Sequence, residues 1–185
     1  VYSMIVFGLD VEEFEYAYRL DGPYDEKKGL RFDKTKILLD PYARAVTGQS
    51  RWGCTNNSKH GYRARVVQNN FDWGLERSEP IPMEDLVIYE LHVRGFTQSP
   101  SAKVNYPGTF RGLEEKIPYL KKLGINAVEL MPVFEFDEMR DVRNIDGNDL
   151  LDYWGYNPVC FFAPNTSYSS RIEYNREGME LKELI

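Results

Sequence analysis

Apolar and polar positions change period several times along the chain, and each change predicts a different element. From Val1 to Phe7 a β-prone apolar run precedes a polar gap, after which Phe14, Tyr16, Tyr18 and Leu20 alternate with polar neighbours. This predicts two antiparallel strands. Asp21-Gly22-Pro23 ends the second, because glycine and proline punctuate turns, and Leu38-Leu39-Asp40-Pro41-Tyr42 reads as a short strand running into a turn of helix. Between about 47 and 84 the periodicity fades and Gly, Asn, Ser and Pro accumulate. A long surface connection is expected there, pinned by Trp52 and Trp73.

From Leu86 to Phe96 the alternation is clear: Val87, Tyr89, Leu91 and Val93 share one face of a predicted strand, and Ile88, Glu90, His92 and Arg94 share the other. Thr109 is a predicted N-cap for Phe110, Leu113, Ile117, Leu120 and Leu123 at helical spacing, closed by Gly124. Pro118 lies inside this stripe and would remove a helix hydrogen bond, so a break is expected with Pro118 near the start of the second segment. Residues 125–130 read as a buried strand, which completes a βαβ unit with parallel strands. Phe134 to Leu151 reads as an acidic, irregular loop, and Ser170 to Ile185 as a helix with an incomplete apolar stripe of Met179, Leu181, Leu184 and Ile185.

The net charge of −6 and the scattered Lys and Arg argue against nucleic acid as a partner. Cys54 and Cys160 stand far apart in different elements and are expected to be plain thiols. No stretch approaches the roughly 20 apolar residues of a membrane span. The chain opens on Val1 inside a strand-like pattern and closes on Ile185 inside a helix-like one, so it is expected to be an excised piece of a longer protein.

Several residues invite chemistry. Glu90 and Glu129 on successive parallel strands are a candidate carboxylate pair for glycoside hydrolysis, although pairing with His92 or Arg94 is the preferred reading. His92 is a candidate general base with no nucleophile turn to complete a triad, and a structural histidine is preferred. Glu135, Asp137, Glu138, Asp141, Asp146, Asn148 and Asp149 offer oxygens to calcium, but the ligand alternation and distal glutamate are missing, so a solvated loop is expected and no metal or cofactor. The hexapeptide Tyr153-Trp154-Gly155-Tyr156-Asn157-Pro158 crowds three rings together. Aromatic faces pack on sugar C–H faces, and Gly155 is expected to let the backbone approach a ligand. A turn held by hydrophobic packing is the alternative, above all for Trp154.

Residues 87–97 (VIYELHVRGFT), 109–136 (TFRGLEEKIPYLKKLGINAVELMPVFEF) and 153–170 (YWGYNPVCFFAPNTSYSS) together resemble isoamylase and bacterial glycogen debranching enzymes of glycoside hydrolase family 13. Upstream, residues 18–46 resemble the end of the β-sandwich carbohydrate-binding module that precedes the barrel in these proteins. The resemblance implies an α/β fold: residues 1–46 from that module, 47–84 a linker, and 85–185 the start of an incomplete (β/α)8 TIM barrel. It implies that Tyr156 stacks on substrate, with Trp154 and Asn157 beside it. It also implies that the catalytic carboxylates of a retaining mechanism lie beyond Ile185, and that Glu90 and Glu129 match no catalytic position. The implied partner is an α-glucan, in a bacterial cytoplasm or alternatively a plastid. A non-catalytic glucan-binding homologue, or α-1,4 hydrolysis or glucan transfer within the family, stays open. Alone, the piece is expected to be inactive and to self-associate through exposed barrel edges.

Overall fold

A computed structural model describes all residues except 1–3, 48, 50, 57–59, 75–79 and 172. The first elements are short strands: Glu15–Tyr16 (β1), Tyr24–Asp25 (β2), Leu30–Arg31 (β3), Ala45–Thr47 (β4) and Arg63–Arg65 (β5). β5 runs between β1 and β4, antiparallel to both, so that Ala64 sits opposite Tyr16 on one side and Val46 on the other. Tyr18 bridges Leu38 in an isolated antiparallel contact, as the alternation from Phe14 to Leu20 foreshadows. The strand expected over 1–7 does not form: residues 1–3 fall outside the described residues, and Met4, Ile5, Val6 and Phe7 are exposed coil with no sheet to join. The long connection expected over 47–84 contains a strand, β5. Three residues reading Arg-Ala-Arg carry too little pattern to announce a central strand.

Then follow Ile88–Leu91 (β6), Val93–Thr97 (α1), Phe110–Glu114 (α2), Ile117–Lys122 (α3) and Ala127–Leu130 (β7). β6 and β7 pair in parallel, with Glu90 beside Glu129 and Leu91 beside Leu130, so the βαβ unit is present. The predicted strand over 86–96 is too long. His92 caps α1, its Nδ1 accepting the Gly95 N–H at 3.1 Å, and the chain turns into helix at Val93. Val93 is buried as its apolar character requires, but from a helix. Thr109 Oγ1 accepts the Gly112 N–H at 3.1 Å as the predicted cap, and Pro118 lies in the first turn of α3, where its missing N–H costs nothing. Gly124, at φ +88, lets the Ile125 N–H reach back to the Leu120 carbonyl at 3.0 Å. β7 is less buried than its apolar run predicts, since Val128 is exposed and β6 is its sole partner strand among the described residues.

The remainder is Phe134–Phe136 (β8), Arg143–Ile145 (β9), Asn148–Leu150 (β10), Pro158–Pro164 (β11) and Arg176–Leu184 (α4). The expected irregular loop over 134–151 is therefore a strand and a hairpin. Asp146 and Gly147, at φ 52 and φ 80, make the two-residue turn between β9 and β10, which is what the Asp-Gly pair encodes instead of a cation loop. β11 pairs antiparallel with β8 through two register shifts. Prolines at both of its ends and the run Cys-Phe-Phe-Ala between them hide it from pattern reading. α4 packs on α2 and gives Leu181 and Leu184 to a core of Leu91, Val93, Phe110, Leu113, Leu120, Phe136 and Tyr168; Ile185 is exposed. A second, smaller core joins Ala43, Val46 and Ala64 to Cys160 and Ala163 of β11.

Candidate functional site

The hexapeptide crosses the end of β6 and rests on a bed of rings. Trp52 lies parallel to buried Tyr168, centroids 6.1 Å apart and planes 10° apart, with the Arg94 guanidinium 4.8 Å from its own ring centroid. Trp52 thus pins its segment as expected, whereas Trp73 stays largely in solvent. Tyr153 lies parallel to His92 at 4.1 Å and 11°. Its hydroxyl occupies the space where a Cβ on Gly95 would be, 1.8 Å away, so glycine at 95 is what allows the stack.

Because His92 Nδ1 accepts from Gly95, Nε2 carries the proton and donates to the Tyr153 carbonyl at 2.6 Å, with the Tyr168 hydroxyl 3.1 Å away. Burial holds the imidazole pKa below its ordinary value; the Tyr153 carbonyl opposes this and the Arg94 charge adds to it. The group is a neutral fastener between strand end and aromatic loop. It is not paired with Glu90, and Arg94 sits over Trp52, so neither expected cation partner serves Glu90 or Glu129. Both carboxylates stand exposed on adjacent strands.

Gly155 departs from expectation. It is buried at φ +80, and a Cβ there would come within 2.6 Å of Phe136 Cε1. The missing side chain makes room for a core ring beneath the loop. Trp154 and Tyr156 project outward and are 59% and 70% exposed. Trp154, with Tyr153, Tyr89, Glu90 and His92, lines an open cleft of ≈ 440 Å³, while Tyr156 stands outside that lining. Asn157 Oδ1 accepts from Arg140 Nη1 at 3.1 Å, so the turn between β8 and β9 is tied to the loop at this point. Exposed rings on a rigid aromatic base, beside a polar side chain, can offer stacking and hydrogen bonds to a sugar.

The acidic residues divide in a way the sequence does not announce. Glu135 and Glu138 are fully buried. Glu135 Oε2 accepts the Thr166 N–H at 2.8 Å, and Glu138 Oε1 accepts the Gly53 N–H at 2.9 Å. Asp137 Oδ1 accepts from Gln49 Nε2 at 3.1 Å. Burial drives the Glu135 pKa well above the ordinary carboxylate value against the pull of Thr166, and raises that of Glu138 against the pull of Gly53. Asp137 and Glu138 thus fasten Gln49 and Gly53 to the turn after β8, and Glu135 fastens Thr166 to β8 itself. The one hint in the sequence is that Glu135 stands between two phenylalanines. Among the described residues no group of three His, Cys, Asp or Glu is placed to hold a metal ion, and both cysteines are free.

The α/β architecture is shared with solved pullulanases. The chain superposes on a pullulanase from Anoxybacillus sp. LM18-11 complexed with maltotetraose at a TM-score of 0.62 and 28% identity, covering 81% of this chain and 22% of that one. It superposes on the GBS pullulanase SAP, also with maltotetraose, at a TM-score of 0.63 and 28% identity, covering 88% and 24%. No protein-family model matches. The sequence is 37% identical to the chloroplastic isoamylase 1 of Arabidopsis thaliana over 94% of this chain and 23% of that protein, and 38% identical to the glycogen debranching enzyme of Yersinia enterocolitica over 91% and 27%. Over the segment it spans, the chain is similar to isoamylases and bacterial glycogen debranching enzymes. That segment amounts to about a quarter of the length of these curated relatives.

Proposed function

We propose that this chain is part of a debranching glycoside hydrolase that cleaves α-1,6 branch linkages in glycogen or a related α-glucan. The observation that carries the reading is the pair of exposed rings, Trp154 and Tyr156, on a loop immobilised by Gly155, His92 and Phe136, in a chain so similar to isoamylases. In this reading Tyr156 stacks on a glucose unit, Trp154 and Asn157 flank it, and no catalytic residue lies in the segment. The carboxylates of a retaining mechanism, one nucleophile and one acid/base, would come from elsewhere in the protein. β6, β7 and the helices between them would open a (β/α)8 barrel. Residues 1–46 would end a carbohydrate-binding-like β-sandwich followed by a linker over 47–84, and the pairing of β5 with β1 and β4 supports counting that strand with the module. The setting would be bacterial cytoplasm, or a plastid as in the chloroplastic relatives.

The test uses the full-length protein carrying this segment and a branched α-glucan. Release of linear chains that Tyr156→Ala slows by on the order of tenfold, through a raised KM, is the expected result. Unchanged kinetics in that variant sinks the role of Tyr156. Glucan binding without any hydrolysis would leave the non-catalytic binding reading standing. The isolated 185-residue chain is expected to hydrolyse nothing. It is also expected to self-associate, because an apolar cleft lined by Leu113, Ile117, Val128 and Leu184 lies open beside β7; a monodisperse monomer in sedimentation would contradict this.

A further inference from the structure

Another surface, formed by the turn before β4, β11 and α4, also holds rings in solvent, and nothing in the hexapeptide site uses it. Tyr42 and Phe162 lie parallel with centroids 5.7 Å apart and 16° between planes, yet they stay 74% and 59% exposed. The pair makes a continuous apolar strip that the described residues leave uncovered. Trp73, 56% exposed, faces the same groove of ≈ 450 Å³, a size within the range of small-ligand sites. Asn175 lines it too. It is 8% exposed and stands at the N-cap of α4 with φ 54, its side chain making no capping hydrogen bond. Its amide atoms are not closed off from the groove, so they can bond a hydroxyl there. Arg44 and Lys182 add donors to the lining.

A flat apolar strip with convergent amide and cationic donors suits a neutral polyhydroxylated chain, whose C–H faces take the rings and whose hydroxyls take the amide. A bare phosphate would leave the rings unused. We propose that this groove binds a second stretch of α-glucan, with Tyr42, Phe162 and Trp73 stacking on glucose units and Asn175 bonding a hydroxyl. The ligand class rests on the α-glucan reading above.

Calorimetric titration of maltoheptaose into the full-length protein separates the two sites. Wild type is expected to bind at two sites. Tyr156→Ala should weaken one roughly tenfold, and the double variant Tyr42→Ala/Phe162→Ala should weaken the other roughly tenfold, as ring contacts of ordinary strength do. Phe162→Tyr keeps a ring and should keep the affinity, which separates lost stacking from lost folding. Trp73→Phe should abolish the tryptophan fluorescence change that accompanies occupancy of the groove. A double variant that is folded by circular dichroism and binds as wild type overturns the groove and leaves the hexapeptide reading intact. Loss confined to the double variant, with Tyr156→Ala silent, supports the groove and overturns the hexapeptide. Failure of wild type to bind maltoheptaose overturns both.

Discussion

The two cores of this molecule are built from opposite materials. Around β6, β7 and their helices the interior is filled by large side chains, Phe110, Phe136, Tyr168 and the leucines, with Trp52 laid on top. Around β4 and β5 it is filled by Ala43, Val46, Ala64, Cys160 and Ala163, and the elements lie close because their side chains are short. The first core can hold a loop rigidly, since each ring contacts several others. The second is a seam, where residues far apart in sequence meet over little apolar area and depend on polar fasteners. One of these is the ion pair between Arg65 of β5 and buried Glu177 of α4, with the Tyr174 ring 5.2 Å from the guanidinium and the Tyr174 hydroxyl donating to the Val11 carbonyl at 2.9 Å.

The contrast predicts that the two cores fail in different ways. Phe110→Ala, which empties the large-ring core, should cost about 3–5 kcal/mol, read as a fall in unfolding midpoint. The loop above should loosen with it, since Phe110 packs edge-on against Tyr168. Arg65→Ala comes next. It strands the Glu177 carboxyl, which burial already pushes upward in pKa despite the arginine, and should cost about 3 kcal/mol because an uncompensated buried charge remains. If Arg65→Ala were harmless, the seam would be held by its apolar residues after all. Ala64→Leu is the converse of Phe110→Ala. Enlarging a residue closed in between β1 and β4 should cost about 1–3 kcal/mol by overpacking, and a neutral result would show room in the seam that the structure does not.

Where the sequence could be read follows the same division. The βαβ unit was legible because its signals are local: a Thr109 cap, a leucine stripe, a Pro118 break and a Gly124 stop lie within reach of one another. The exposure of Trp154 and Tyr156 was legible too, since a glycine among crowded aromatics marks a loop of special backbone. What escaped depends on distant partners. Arg63–Arg65 is a strand because β1 and β4 flank it, and β11 is one because β8 accepts it. His92 ends its strand because its own ring caps α1 while the Tyr153 carbonyl holds it from across the chain. Gly155 serves Phe136, a residue far back in the sequence, rather than a ligand. The burial of Glu135 and Glu138 is invisible in a segment whose composition says solvent.

Those two acids supply the smallest and most discriminating test. Glu135, Glu138 and Glu177 all have folded-state pKa values raised chiefly by burial, so the folded chain holds their protons more tightly than the unfolded chain. Their contribution to stability is fully present below the ordinary carboxylate value of 4.5 and is lost as pH rises through the raised values. His92 acts in the opposite sense: its pKa is lowered by burial, so its contribution is present above 6.5 and lost as pH falls through the lowered value. With three carboxyls against one imidazole, stability should decline from mildly acidic to mildly alkaline pH. Glu135→Gln keeps an oxygen to accept the Thr166 N–H while removing the titration, so it should flatten that decline by about 1 kcal/mol. Denaturant unfolding of both forms at several pH values measures it. Parallel curves for the two would mean that Glu135 is charged in the fold, and that a partner beside β8 and Thr166 neutralises it.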